Sequence, residues 1–255
     1  MEPDFIAFLI VCPLAFLAGL LDSIAGGGGL IAVPAYLFAG VPIHFALGTN
    51  KLSACAGVLV ASWRYYKNKC VDLALCIPSI IAALVGSALG TSLTLSVDEK
   101  YLQYLLVIIL PITAFYVFKK KHFNPPVFSL SRIRTVFYCI AISFIIGGYD
   151  GFFGPGAGTF LLLLYCGLAK IDPRIAAGNS KVVNLSSNLS ALVLFLYNGR
   201  VLIPLGISAA LFSIAGAYIG SGLVIHKGTK IIRTAILIVL ALLFVKVAYD
   251  ILFKG

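Results

Sequence analysis

The chain has 255 residues, 61% of them hydrophobic and only 11% charged, with a mean hydropathy of +1.06 and a formal net charge of +10. A soluble domain carries about a quarter charged residues, so this chain could not cover its own surface in water. A soluble enzyme, a nucleic-acid-binding domain and a disordered tail are excluded, and a polytopic membrane protein remains.

Residues 5–40 form the first long apolar stretch. Glu2 and Asp4 precede it, where a secretory signal would carry positive charge, so it reads as part of the mature protein. The run Gly26-Gly27-Gly28-Gly29 interrupts it. Four glycines in a row hold no helix in hydrocarbon, and irregular backbone at that depth must be buried in protein or face a wet cavity. Helices are predicted at 46–63, 71–94 and 101–118. The segment 119–135, with two prolines and five Lys or Arg, reads as a cytoplasmic linker. The order then recurs: an apolar stretch over 136–168, broken at Gly154-Pro155-Gly156, and helices at 176–196, 201–225 and 231–253. The apolar stretches are continuous, as in LLVIILPITAFYVF, and do not alternate as barrel strands would. At about 20 residues per span there is room for roughly eight.

The recurrence is an internal repeat. A shift of 130 matches Gly48 with Gly178, Lys51 with Lys181, Asn68 with Asn198, Val71 with Val201, Gly86 with Gly216, Gly90 with Gly220 and Lys100 with Lys230. Upstream the shift is 128, matching Asp22 with Asp150, Gly26 with Gly154 and Gly28 with Gly156. The predicted fold class is therefore an all-α polytopic membrane protein with two homologous four-element halves, residues 1–118 and 136–255. Loop charges bear on orientation. If each glycine-broken stretch crosses the membrane, the halves are parallel, with 11 Lys or Arg inside against 6 outside. If each stretch turns back at its glycines, the halves are inverted and the count is 13 against 4. The inverted arrangement follows the positive-inside rule better, and inverted repeats with broken helices recur among transporters.

Three polar features stand inside this apolar frame. Asp22 and Asp150 are lone carboxylates in long apolar stretches, each expensive at mid-membrane by about 3 kcal/mol on insertion scales. They read as helix caps at the breaks, as carriers of a coupling proton, or both. The glycine segments themselves suit either close helix packing or a helix restart whose free N–H groups face an anion. The third feature is Gly48-Thr49-Asn50-Lys51 and its match Gly178-Asn179-Ser180-Lys181, each read as opening a helix. A lysine there wants a negative partner, either an aspartate or a bound anion, unless it snorkels to the interface. Thr49, Asn50, Asn179 and Ser180 are also ordinary N-caps. Asn184 and Asn188 share the face of Lys181, whereas their counterparts are Ala54 and Val58, so a two-fold site would be asymmetric. Gly86-x-x-x-Gly90 and Gly216-x-x-x-Gly220 read as packing motifs. The six cysteines and three histidines have no metal-ligand spacing, the histidines fall near predicted loops, and no metal or cofactor is expected. No phosphate-binding Gly-x-x-x-x-Gly-Lys-Ser/Thr motif is present, which favours coupling to a gradient.

The segments GLLDSIAGGGGLIAVPAYLFAGVP, ALGTNKLSACAG, GGYDGFFGPGAGTF and GNSKVVNLSSN resemble the TauE/SafE, or TSUP, membrane transporters, and among them the YfcA-like branch. The resemblance covers both repeats. It implies a multi-pass transporter of the bacterial inner membrane, in a family whose studied members are linked to sulfite, sulfonates and related small organosulfur anions. The expected site joins both breaks (Gly26, Gly27, Gly28 and Gly29; Gly154, Pro155 and Gly156) to Thr49, Asn50, Lys51, Asn179, Ser180, Lys181 and Asn184. Asp22 and Asp150 serve there as caps or proton carriers. The expected partners are a small anion, an organosulfur compound or a carboxylate, the lipid bilayer and a coupling proton. A passive channel is the alternative within membrane transport; a membrane-embedded enzyme lacks an intramembrane histidine.

Overall fold

The computed structural model describes residues 4–102, 104 and 130–227. Eight helices are described: α1 Phe5–Ala25, α2 Gly29–Phe38, α3 Ile43–Lys67, α4 Leu73–Ser96, α5 Arg132–Phe152, α6 Ala157–Gly167, α7 Pro173–Tyr197 and α8 Ile203–Lys227. The predicted helix at 231–253, nearly all of the one at 101–118 and most of the linker lie outside the described residues. Residues 132–135, assigned to the linker from their charge, already form the first turn of α5. Five of the helices, α1, α3, α4, α5 and α8, are long and apolar enough to cross a membrane. Helix α7 is as long as α3 but carries a run of buried polar residues.

The breaks fall where the glycines are. Gly26 takes a left-handed φ of +83° and its N–H returns to the Asp22 carbonyl at 2.7 Å, which ends α1. Gly154 and Gly156 are left-handed between α5 and α6. Helices α4 and α7 start on carboxylate caps. Asp72 Oδ1 accepts from the N–H groups of Ala74 and Leu75, and Asp172 Oδ1 accepts from that of Arg174.

Contacts between the halves are reciprocal. Gly86 and Gly90 lie against Phe144, Gly148 and Phe152, and Gly216 and Gly220 lie against Phe16, Leu20 and Ser23. Gly147 rests on Ala83, and Gly19 rests on Ser213. Each pair is the repeat image of the other, so α4 runs alongside α5 as α8 runs alongside α1. Helices α3 and α7 cross antiparallel at the centre: Gly48, near the start of α3, meets Phe195 and the Arg200 carbonyl past the end of α7, while Gly178 meets the Cys70 carbonyl past the end of α3. Small residues at these crossings let backbones approach closely, which is how helices associate where lipid supplies no hydrophobic drive.

Candidate functional site

The two breaks abut. A side chain on Gly26 would run into the backbone of Gly158, and one on Gly29 would press on Pro155. The Thr159 N–H, in the first turn of α6, donates to the Gly26 carbonyl at 3.2 Å. The Gly28 N–H, at the restart of α2, is likewise taken, by Asp22 Oδ1 at 3.1 Å.

The ionisable residues pair across the halves. Lys51 Nζ lies 2.9 Å from Asp150 Oδ1 and donates to the Asp150 carbonyl at 2.7 Å, with both side chains 3% exposed. Lys181 Nζ lies 3.2 Å from Asp22 Oδ2, with the lysine 1% and the aspartate 16% exposed. The lysine of each half thus meets the carboxylate of the other half. Asp150 Oδ2 also accepts from Ser187 Oγ at 2.5 Å and from Asn184 Nδ2 at 3.3 Å. A buried charge left alone is very costly, so these pairs fix how the halves dock.

Beside the pairs lies a cavity of about 40 Å³. Of the residues expected at the site, Asp22, Gly26, Gly28, Gly29, Asn50, Lys51, Asp150, Gly154 and Asn184 line it. Lys181 reaches it only through Asp22, and Pro155 stands behind Gly29. Gly27 and Gly156 belong to the breaks but not to the cavity wall. Asn50 is 7% exposed and its side chain has no hydrogen-bond partner among the described residues, so its amide is open to whatever occupies the cavity.

Four residues are corrected in position. Thr49, Asn50, Asn179 and Ser180 do not open their helices, because α3 and α7 already begin at Ile43, after Pro42, and at Pro173, on the Asp172 cap. Thr49 and Asn179 instead satisfy the helix starts of the opposite half: the Leu202 N–H donates to Thr49 Oγ1 and the Asp72 N–H to Asn179 Oδ1, both at 2.9 Å. Ser180 turns back to the Ala177 carbonyl at 2.9 Å. His44, expected near a loop, is the second residue of α3 and is buried, with Nε2 3.1 Å from the Thr94 carbonyl and Nδ1 3.3 Å from Glu99. Among the described residues no group of three His, Cys, Asp or Glu could hold a metal.

Three polar residues of the cavity wall lay outside the expected site: Ser53, Ser213 and Asn188, the last already placed by its spacing on the face of Lys181. Ser213 had one available signal. Its repeat counterpart is Ala83, and a polar residue replacing an apolar one between equivalent helices marks where the halves differ in role.

The family model for the sulfite exporter TauE/SafE matches residues 11–247. A probable membrane transporter protein of Haemophilus influenzae is 37% identical over 97% of this chain and 96% of its own. The probable membrane transporter protein ORF9 of a Sinorhizobium species is 36% identical over 96% and 93%, and YfcA of Escherichia coli K12, likewise named a probable membrane transporter protein, is 37% identical over 93% and 88%. No solved structure matches. The chain belongs to the TauE/SafE family of membrane transporters and is a multi-pass membrane protein.

Proposed function

We propose that this TauE/SafE family member is a secondary transporter that carries a small anion, an organosulfur oxyanion or a carboxylate, across the bacterial inner membrane. The observation that supports this most is the abutment of two chain breaks beside a cavity that holds buried ionisable groups and an unpartnered amide. Interrupted helices and buried charge persist in a membrane where a solute pathway requires them. The family description names sulfite, and the cavity suits a solute of a few heavy atoms.

The antiparallel crossing of α3 and α7 supports inverted halves: if both helices span the bilayer, the axis relating the halves lies in the membrane plane. The solute site then sits on that axis, and rocking one half against the other exposes it to either side in turn. The same geometry supports a coupling proton. Two lysines oppose two aspartates, so the cluster is neutral when all four are charged. An entering anion adds an uncompensated negative charge in a low-dielectric site; a proton taken up on one carboxylate restores the balance.

The test is uptake into proteoliposomes of sulfite, thiosulfate, a small sulfonate and acetate. Saturable uptake with counterflow is expected, and its loss in Lys51→Met/Asp150→Asn. Flux that rises linearly without counterflow would replace the carrier by a passive channel. No flux of any of them through folded protein would overturn the reading.

A further inference from the structure

We propose that the two duplicated carboxylates have separate roles: Asp22 exchanges the coupling proton with the cavity, and Asp150 remains an ionised anchor. This rests on the transport reading above and deepens it. Asp150 lines the cavity too, but it has donors on both oxygens, Lys51 on Oδ1 and Ser187 and Asn184 on Oδ2, and its side chain is only 3% exposed. Three of the roughly four acceptor sites of this carboxylate are thus taken. Asp22 has only Lys181 on Oδ2 and the Gly28 N–H on Oδ1, and its side chain is 16% exposed.

The difference is written into the repeat. The counterparts of Asn184 and Ser187 are Ala54 and Gly57, and both of these line the cavity. The two side-chain donors held by Asp150 therefore have no counterpart on α3 beside Asp22, where Ser213 of α8 packs against Gly57 instead. The charged and titratable groups facing Asp22 are Lys181 from α7, Tyr65 from α3, and Lys51 and Asp150 across the cavity from α3 and α5. Among the described residues, α2, α6 and α8 place no charged side chain on the cavity wall. When a proton passes from cavity water to an Asp22 carboxylate oxygen, the O–H bond removes one negative charge. The Lys181 ammonium is then unbalanced, and a single negative charge in the cavity balances it. One proton accompanies each monovalent anion.

The experiment is carbodiimide labelling, which modifies protonated carboxyls, of the full chain in liposomes, read residue by residue by mass spectrometry. Asp22 should be labelled, with a rate that rises about tenfold per unit of pH lowered while the carboxylate is mostly ionised. Asp150 should stay unlabelled, and the adduct should vanish in Asp22→Asn. Labelling of Asp150 as fast as Asp22, or no labelling of Asp22 at any pH, overturns the assignment. Sulfite uptake driven by a proton gradient separates the two levels. If uptake is saturable but Asp150→Asn, and not Asp22→Asn, uncouples it from the gradient, the assignment fails and the transport reading stands. If Asp22 labels as expected and none of the four anions is carried, the transport reading fails and the proton-exchange site stands.

Discussion

Lys51→Met keeps the length of the side chain and removes its charge. Lys51 Nζ lies 2.9 Å from Asp150 Oδ1 in a pair that is almost wholly buried. In an effective dielectric of about 20, unit charges at that distance attract by about 6 kcal/mol. Stranding one member of a buried pair typically costs about 3–5 kcal/mol, and Ser187 and Asn184, which stay on Oδ2, keep the loss from exceeding that range. Lys181→Met should cost about 1–3 kcal/mol, because Asp22 retains the Gly28 N–H and reaches the cavity. Unfolding in mixed detergent–SDS micelles measures both. The double variant Lys51→Met/Asp150→Asn should recover most of the loss, since no charge is stranded and the new amide oxygen still offers Ser187 an acceptor. If Lys51→Met unfolds as the wild type does, or the double variant is no more stable than the single, the pair does not hold the halves together and the reasoning fails.

Three further outcomes are expected. Gly26→Ala should be destabilised well beyond the roughly 1–2 kcal/mol of a left-handed non-glycine residue, because its Cβ meets the Gly158 backbone, whereas Gly40→Ala, with open space around it and a φ of +76°, should show the strain alone; thermal melts in detergent compare them. Thr49→Val strands the Leu202 N–H at the start of α8 and should cost about 1–2 kcal/mol by the same melts, an effect absent if that cap lies within its own half. In a cysteine-free background, cysteines at Lys69 and Arg200 should react with an impermeant thiol reagent from opposite faces of the membrane; labelling from the same face would refute the inverted arrangement.

The spans were legible because hydrophobic length and glycine placement act locally. Helices predicted at 46–63 and 71–94 extend over Ile43–Lys67 and Leu73–Ser96, and the breaks fall at the glycine runs. The repeat was legible too, since matched glycines and charges survive in register. Helix starts were less so: Thr49 and Asn179 have N-cap chemistry, and only the docked halves reveal that they cap helices of the opposite half.

Composition and periodicity alone therefore determined that this chain lives in a bilayer as two related sets of helices, because burial of apolar length and the cost of unpaired backbone depend only on residues near one another in sequence. Which lysine meets which carboxylate depended on partners in opposite halves of the chain, Lys51 with Asp150 and Lys181 with Asp22. Charge pairing is decided by distance in space, and that distance exists only once the two halves are packed against each other.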